Sequence, residues 1–272
     1  MEYKIKQLDE VNIDEAKKLY KEAFGDSDEF INYYFSSYSK NNLYYFWVDD
    51  NNKIVMMACL NKKRVYYNRE KITAGFIVAV AVDKEMRGKK ILTNNFQKWL
   101  DDISLMADYI FIQAYNWDVY KNFDFHPCCY KHKYQLRKDQ ILKPIEYKTN
   151  KDIDIELINE IYNQFLKINR IKNYTYRTTK ESILYYKMLL STGEKIYHTK
   201  KSYIVVSKDT IVDFAFTDLK DFIQLLSNFE DKLFIYSYIL LDKRFFKDLS
   251  DKKIDAKIYK IKDFDLLFNE TF

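Results

Sequence analysis

The chain is poor in the residues that break regular structure or cross-link it. Its 272 residues include only 4 glycines, 2 prolines and 3 cysteines. So few glycines and prolines exclude collagen-like and linker-like proteins, and three cysteines cannot form the disulfide framework of a small secreted domain. The longest apolar run, residues 75–82, is far shorter than the roughly 18–20 residues of a membrane-spanning helix. The N-terminus MEYKIKQLDE lacks the apolar core of a signal peptide. We expect a soluble protein of a reducing cytoplasm with no membrane partner.

The remaining composition is that of a globular protein. Hydrophobic residues make up 47% and charged residues 31% of the chain, and its length suits about two domains. The 25 tyrosines and 20 phenylalanines reflect the codon usage of an AT-rich genome better than a base-stacking surface. The net charge of +5 suits a small anionic ligand and falls short of a nucleic-acid footprint. We therefore predict no nucleic-acid partner.

Several periodic stretches precede the most informative segment. Asn12 and Glu15 have the spacing of a capping box, so a helix is predicted from there to Phe24, where Gly25 ends it. The other predicted elements are a strand at 3–8, a helix at 29–38, and strands at 43–48, 54–60 and 64–67.

The segment from Ile72 to Ala114 predicts a βαβ unit. Residues 72–82 are apolar at almost every position, as in a strand buried on both faces. A basic turn follows, then a helix with an apolar face to Ile103, and a second buried strand at 109–114. A helix that begins behind a basic, glycine-containing loop offers free backbone N–H groups to an anion. The simpler alternative is a solvated basic turn, and the loop matches neither the P-loop nor the dinucleotide-binding fingerprint.

The second half repeats helices and strands but carries no basic glycine loop. A polar stretch at 137–152 with Pro144 predicts a boundary. The predicted elements beyond it are helices at 153–168, 180–190, 218–229 and 244–249, and strands at 203–206, 211–216, 233–241 and 256–261.

Two motifs of the first half resemble a known family. Residues 78–100, VAVAVDKEMRGKKILTNNFQKWL, resemble the acetyl-CoA motif of the GNAT superfamily of N-acetyltransferases, in which [RQ]-x-x-G-x-[GA] opens a helix after a strand. Residues 120–125, YKNFDF, resemble the superfamily's Y-x-x-[FL]-G-[FY] segment. Nearly the whole chain is similar to the enhanced-intracellular-survival (Eis) type, which fuses a complete GNAT domain to a second, degenerate one.

This resemblance implies the fold and the domain organisation. We expect an α/β (α+β) protein of tandem GNAT-like domains, with a mixed central sheet flanked by helices. Residues 1–145 would be the acetyl-CoA-binding catalytic domain, and residues 150–272 a degenerate second domain that walls the acceptor pocket and holds no second cofactor. The chain departs from the pattern at Lys90 and at Asp124, which stand where the family has glycine. Asp124 is expected to keep the turn in a left-handed conformation. The third, sterol-carrier-like domain of Eis-type proteins does not fit in this length.

The resemblance also assigns donor-binding residues. The pantetheine arm would pair with the end of the central strand, at Val80, Ala81 and Val82. The pyrophosphate would lie on the helix N-terminus, and the thiol end would be bordered by two residues after the next strand. The assigned residues are Arg87, Gly88, Lys89, Lys90, Ile91, Leu92 and Thr93 for the pyrophosphate, and Tyr115 and Asn116 for the thiol end.

The catalytic roles follow in the same way. Tyr120 would be the general acid that protonates the leaving thiolate; the alternative is a core tyrosine. The central strand has no carboxylate base, and the resemblance points to the terminal carboxylate of Phe272. Phe24 and Asp26 would line the acceptor mouth and attract a cationic amine; the alternative for Asp26 is a cap of the second helix.

Two cysteines and two histidines raise the question of a metal. His126, Cys128, Cys129 and His132 do not have the spacing of a closed tetrahedral zinc site, so a buried strand is favoured and no metal is predicted. Cys59 is expected in the core.

Two function classes compete. The first is an N-acetyltransferase that moves an acetyl group from acetyl-CoA directly to a small amine. The second is a degenerate GNAT fold that serves as an acyl-CoA-binding or protein-interaction module, which Lys90 and the missing base would favour. Transfer from another acyl donor is a third possibility. The sequence leaves the acceptor's identity and homo-oligomerisation open.

Overall fold

A computed structural model of the protein describes residues 3–38, 42–229 and 233–261. The α-helices in these ranges are α1 (Ile13–Phe24), α2 (Asp28–Tyr33), α3 (Ile91–Ile103), α4 (Ile155–Ile168), α5 (Thr179–Ser191) and α6 (Leu219–Ser227). The strands are β1 (Lys4–Lys6), β2 (Leu43–Val48), β3 (Ile54–Tyr67), β4 (Glu70–Val82), β5 (Tyr109–Ile112), β6 (Phe125–Leu136), β7 (Tyr174–Thr175), β8 (Lys195–His198), β9 (Ser202–Ser207), β10 (Thr210–Phe216), β11 (Phe234–Ser237) and β12 (Phe246–Tyr259). The predicted α/β class with a mixed sheet flanked by helices is confirmed.

One mixed sheet runs through both halves of the chain. Its strand order is β1-β2-β3-β4-β5-β12-β6-β11-β10-β9-β8, and the short β7 pairs with β3. β12 lies between β5 and β6, and it pairs antiparallel with both. The last described strand thus completes the sheet of the N-terminal half. The domain boundary at residues 145–150 stays a prediction. β12 lies after that boundary in the sequence but pairs with β5 and β6, which lie before it.

The strand β12 corrects a prediction. Residues 244–249 were expected to form a short helix, but the strand begins at Phe246 and continues to Tyr259. Its register runs from Phe246 opposite Leu136 to Tyr259 opposite Phe125. Pairing on both edges supplies backbone hydrogen bonds that outweigh the weak local preference of this polar sequence.

The two halves have the same order of elements. α4-α5-β8-β9-β10-α6-β11 repeats the order α1-α2-β2-β3-β4-α3-β5. In both series the strands on either side of the single helix are parallel, as β4 with β5 and β10 with β11. The two strand-to-helix turns differ in how the helix begins. Asp218 caps α6 with its carboxylate, whereas no side chain caps α3.

Two of the three clusters of buried apolar side chains in the described residues contain helices that pack on the sheet. Helix α3 packs Phe96, Trp99 and Leu100 against residues of β2 to β5. A larger core contains buried side chains of α1 and α2 together with side chains of α4, α5 and α6. The halves therefore share buried apolar surface as well as the sheet.

The start of α1 differs from the predicted capping box. Asn12 Oδ1 accepts a hydrogen bond from the N–H of Asp14, two residues on, at 2.9 Å. Glu15 does not reach back to Asn12; its Oε1 accepts from the N–H of Ile54 at 2.8 Å. The carboxylate thus satisfies the first residue of β3 and ties the helix to the sheet.

The described residues contain no helix that is both long and apolar enough to cross a membrane. Cys59, Cys128 and Cys129 are buried and form no disulfide bond, which confirms the core position of Cys59 and the buried strand at 128–129.

Candidate active site

The parallel strands β4 and β5 separate at one end. Their pairing runs from Ala74 opposite Tyr109 to Ile77 opposite Ile112 and goes no further, so β5 is two residues shorter than the predicted strand. Beyond this point, residues 78–80 and 113–116 line a cleft of about 530 Å³. A gap between parallel strands leaves backbone hydrogen-bonding groups for a ligand that extends along them.

A bulge shapes β4 at this gap. The register with β3 shifts between Met57, opposite Ala81, and Cys59, opposite Val78. Within the bulge Ala79 has a φ of 53°, a left-handed conformation that is rare outside glycine. Such bulges redirect the backbone and are common beside active sites. This bulge could not be predicted from the sequence, because alanine is not a usual left-handed residue.

The basic loop forms an open cradle at the N-terminus of α3. Gly88 and Lys90 have φ angles of 77° and 59°, so the position at which the family pattern has glycine is left-handed here. Lys90 precedes the helix without capping it, while each of the other five described helices has a side-chain cap. The first N–H groups of α3 therefore remain available to an anion.

Arg87 is fixed beside this cradle. Its Nε donates to the carbonyl oxygen of Val82 at 3.1 Å, which holds the side chain against the end of β4. Ala81 is buried, Val82 pairs with Met56, and neither residue is among those that line the cleft. Lys89 is exposed and Ile91 is buried against the α3 core.

One cleft contains several residues predicted for different roles. From the N-terminal half it is lined by Tyr20, Phe24, Asp26, Phe30, Tyr34, Ile77, Val78, Ala79, Val80, Gln113, Ala114, Tyr115, Asn116, Val119 and Tyr120. Phe24, Asp26, Val80, Tyr115, Asn116 and Tyr120 are thereby brought together, although the sequence separates them by almost one hundred residues. The roles assigned to them stay predictions.

Asp26 faces this cleft and does not cap a helix. The cap of α2 is Ser27, whose Oγ accepts from the N–H of Phe30 at 3.1 Å, so the alternative prediction for Asp26 is wrong. Partial burial raises the pKa of the Asp26 carboxyl, and a hydrogen bond from Tyr20 opposes part of that rise. Burial likewise raises the pKa of Tyr20.

Tyr120 ends a short 3₁₀ turn that Asn116 caps. Its ring contacts Phe96 at 5.6 Å and Phe125 at 6.3 Å between centroids. Burial raises the pKa of the Tyr120 hydroxyl, so the group stays protonated at neutral pH. A protonated hydroxyl at the rim of a cleft can serve as a proton donor.

The second half closes the cleft on one side. Its contributing residues are Met188, Leu189, Thr192 and Glu194 at the C-terminal end of α5. The hydroxyl of Tyr33 donates to the carbonyl oxygen of Leu184 at 3.0 Å, which fastens α2 to α5. Glu194 accepts a hydrogen bond from the hydroxyl of Thr192. The sequence contained no signal for Glu194, because its position depends on how the halves pack.

Two further predictions concern Asp124 and Phe272. Asp124 is absent from the residues with left-handed backbone; its carbonyl oxygen instead accepts from the N–H of Lys260, which directly follows β12, at 2.8 Å. The expected left-handed turn there is therefore wrong, because pairing with the returning strand fixes an ordinary conformation. Phe272 lies outside the described residues, and its role stays a prediction.

Comparisons with known proteins agree with this geometry. Residues 4–128 match the family model of the acetyltransferase (GNAT) domain. No curated protein sequence matches the chain. The N-terminal part of the chain is therefore similar to a GNAT acetyltransferase domain.

Solved structures with this fold extend over nearly the whole chain. A probable N-acyltransferase from Enterococcus faecalis is 12% identical with a TM-score of 0.72, over 95% of this chain and 72% of that one. Eis1 from Mycobacterium abscessus is also 12% identical, with a TM-score of 0.63 over 95% of this chain and 73% of its own. A putative acetyltransferase from Pyrococcus horikoshii is 17% identical, with a TM-score of 0.56 over 97% and 92% of the two chains. The expected resemblance to Eis-type proteins is confirmed at the level of the fold.

Proposed function

We propose that this protein transfers an acetyl group from acetyl-CoA directly to the amine of a small cationic acceptor. Residues 1–145 would carry the catalysis, and residues 150–272 would form a degenerate GNAT-like domain that closes the acceptor side. The observation that carries the proposal is the single cleft in which the separated ends of β4 and β5 meet Asp26 and Tyr120.

The residues around the donor site fit acetyl-CoA. The uncapped N-terminus of α3 suits a pyrophosphate, with Arg87, Lys89 and Lys90 as cationic neighbours. A Cβ built on Gly88 meets no atom within 4 Å, so the backbone there is open to a ligand. The separated end of β4 can pair with the pantetheine arm, and Tyr115 and Asn116 border the thiol end. When bound, acetyl-CoA supplies an activated acetyl thioester.

The opposite wall of the cleft favours a cationic acceptor. The carboxylates of Asp26 and Glu194 come from different halves and line the same space. The C-terminus of α5 adds the negative end of a helix dipole. The rings of Tyr20, Phe24 and Phe30 offer faces that attract a cation. These groups together support an amine that enters as an ammonium ion.

Acetyl transfer requires two proton transfers, one from the acceptor and one to the departing thiol, and side chains of the cleft can take part in both. The ammonium of the acceptor must lose a proton before its nitrogen forms the new C–N bond, and Asp26, Glu194 and the predicted carboxylate of Phe272 are the candidate acceptors. As the C–S bond breaks, the Tyr120 hydroxyl donates its proton to the departing sulfur. The hydroxyl carries this proton near neutral pH, because even the ordinary pKa of tyrosine is about 10.

The substitution Tyr120→Phe tests this assignment. It removes the hydroxyl and keeps the ring against Phe96 and Phe125. We expect kcat to fall by about 10²–10⁴-fold, the usual contribution of a positioned acid, while the affinity for acetyl-CoA stays near that of the wild type. Release of the CoA thiol with a panel of amines measures the first quantity and calorimetry the second. Full activity of this variant would return Tyr120 to a packing role.

A double Cys128→Ser/Cys129→Ser variant separates direct transfer from a covalent route. Both side chains are fully buried, with their sulfurs 3.4 Å apart, so neither thiol can reach a thioester in the cleft. We expect the double variant to retain activity. Loss of activity with an intact fold would favour an acetyl-enzyme.

Calorimetry also tests the second half and the non-catalytic alternative. We expect one acetyl-CoA per chain, because Asp218 places its own carboxylate at the N-terminus of α6, where it accepts from the N–H groups of Lys220 and Asp221. Two acetyl-CoA molecules per chain would contradict a degenerate second domain. Tight binding without thiol release for any amine would favour a binding module.

A further inference from the structure

A second concave surface lies at the opposite end of β4 from the active-site cleft. It has a volume of about 790 Å³ and is lined by Tyr66, Arg69, Leu166, Lys167, Arg170, Ile171, Lys172 and Tyr174. We call this surface the basic groove. Its hairpin residue Arg69 directly precedes β4, whereas the acyl-donor cleft lies near the other end of that strand. At roughly 3.3 Å per residue, β4 spans about 40 Å, so the two sites are separate.

The groove is positively charged without compensation. Its lining contains four cationic side chains and no carboxylate. Among the residues that the structure describes, none of these four takes part in an ion pair with an acidic group. Lys167 and Arg170 lie near the C-terminus of α4, where the negative end of the helix dipole favours cationic side chains. The dipole does not explain why Arg69, from the other half of the chain, and Lys172, in the loop after α4, also line the groove.

Two of the cations occupy backbone positions that favour glycine. Arg69 has a φ of 73° in the β3–β4 turn, and Arg170 has a φ of 53° after the end of α4. A left-handed conformation is unfavourable for an L-residue with a long side chain. Both costs fall on arginines that line the same groove, and both side chains remain exposed.

The floor of the groove is apolar and aromatic. Tyr66 and Tyr174 stack with their ring centroids 5.2 Å apart and their planes 19° from parallel. Leu166 is buried and Ile171 half-buried beneath the cations. The hydrogen bond from the N–H of Asn68 to Asn173 Oδ1, at 2.8 Å, fixes the hairpin to the loop after α4. The groove is therefore held together by both halves.

We propose that the basic groove binds an oligophosphate, an anion with at least two linked phosphate groups. Arginine forks pair with phosphate oxygens in two parallel hydrogen bonds, and two arginines flanked by two lysines match several adjacent negative charges. A single carboxylate or phosphate would neutralise only part of this set. The oligophosphate is either free or part of a nucleotide whose base lies on the tyrosine-lined floor.

The test titrates tripolyphosphate into the full chain by calorimetry, in the Arg87→Ala background so that binding at the loop before α3 is weakened equally in every protein compared. The test variant adds Arg69→Asn and Arg170→Asn, because asparagine tolerates the left-handed conformation and the fold is preserved. The matched control adds Lys18→Asn and Lys98→Asn, which remove the same charge from exposed positions on α1 and α3. We expect the groove variant to bind at least tenfold more weakly and the control to bind as the parent does.

Two further measurements identify the source of the phosphate and expose a failure. Adenosine triphosphate that binds more tightly than tripolyphosphate, with the gain lost in Tyr66→Ala, indicates a nucleotide; equal affinities indicate a free oligophosphate. The affinity should fall steeply with salt, as ion pairing requires. Absence of saturable binding, or equal binding by the groove and control variants, would overturn the proposal and leave the proposed acetyl transfer untouched.

Discussion

Lys90 holds a backbone conformation that usually belongs to glycine. Its φ of 59° and ψ of 22° place it in the left-handed region directly before α3. The local geometry of the family's glycine is therefore kept while its side chain is replaced by a cation. The same residue thus combines conformational strain with a charge at the proposed pyrophosphate site.

We predict that Lys90→Gly raises the free energy of unfolding by up to about 1 kcal/mol, because the left-handed cost disappears while glycine adds some entropy to the unfolded chain. Chemical denaturation measures this change. Gly88→Ala, which has open space for its Cβ but a φ of 77°, should instead lose about 1–2 kcal/mol. Equal stability of all three proteins would show that the loop relaxes freely.

Asp26 links the chemistry of the cleft to pH. The native pKa of its carboxyl lies above the ordinary value, with burial as the main cause. Between the ordinary and the raised pKa the native state binds more protons than the unfolded state. The contribution of Asp26 to stability therefore decreases as the pH rises through that window.

We predict that Asp26→Asn removes this decrease, so that the variant gains stability relative to the wild type as the pH rises from the ordinary carboxyl range, near 4, toward neutrality. Thermal unfolding at a series of pH values measures the difference. The same variant should raise KM for a cationic acceptor more than for acetyl-CoA. A parallel pH dependence in both proteins would mean that another group is responsible.

At the scale of single elements, a buried ion pair joins the start of α5 to β10. Arg177 Nη1 and Asp213 Oδ2 lie 3.4 Å apart with both side chains buried. The rings of Tyr162 and Tyr185 lie 4.8 Å and 3.9 Å from the guanidinium carbon. A buried charge without its partner is costly, so each member of the pair depends on the other.

We predict that Asp213→Ala lowers the free energy of unfolding by about 3–5 kcal/mol, because it leaves the Arg177 charge buried without its carboxylate. Asp139→Ala removes a carboxylate from an exposed pair with Arg137 and should cost no more than about 1 kcal/mol. Denaturant titration compares the two. A similar small loss in both variants would mean that water reaches Arg177.

The elements that the sequence predicted are those whose signals are local. Residues 72–82 are apolar at almost every position, and they lie in β4. Residues 91–103 carry a helical apolar stripe, and they form α3. The bounds of both elements are close to those predicted. Only the end of β12 was predicted, within a strand at 256–261; its first part, FKDLSDKKID, was missed because it has few apolar residues and its partners lie more than one hundred positions earlier. The bulge at Ala79 and the carboxylate of Glu194 in the cleft were missed for the same reason, since both depend on packing between distant segments.

At the scale of the whole molecule, the two halves cannot be separated without breaking the strand pairing of the sheet that runs through both. β12 fills the space between β5 and β6, and one core contains side chains from both halves. The family model ends at residue 128, but the strand that completes the sheet there comes from residues 246–259.

We therefore predict that a fragment of residues 1–145 does not unfold cooperatively and aggregates, because β5 and β6 are left with unpaired inner edges. Co-expression with residues 146–272 should recover a soluble complex with the spectrum of the full chain. Circular dichroism and size-exclusion chromatography measure both outcomes. A 1–145 fragment as stable as the whole protein would show that β12 is dispensable.

The return of β12 also sets a time at which the protein can become active. On the ribosome the chain emerges from its N-terminus, and β6 is complete about 120 residues before β12 ends. At roughly 5–20 residues per second, that interval lasts about 6–25 s. During it the motif-bearing half is already synthesised but has a vacancy in the middle of its sheet. The nascent chain therefore needs protection from aggregation over this interval, and the proposed acetyl transfer can begin only after β12 has been synthesised.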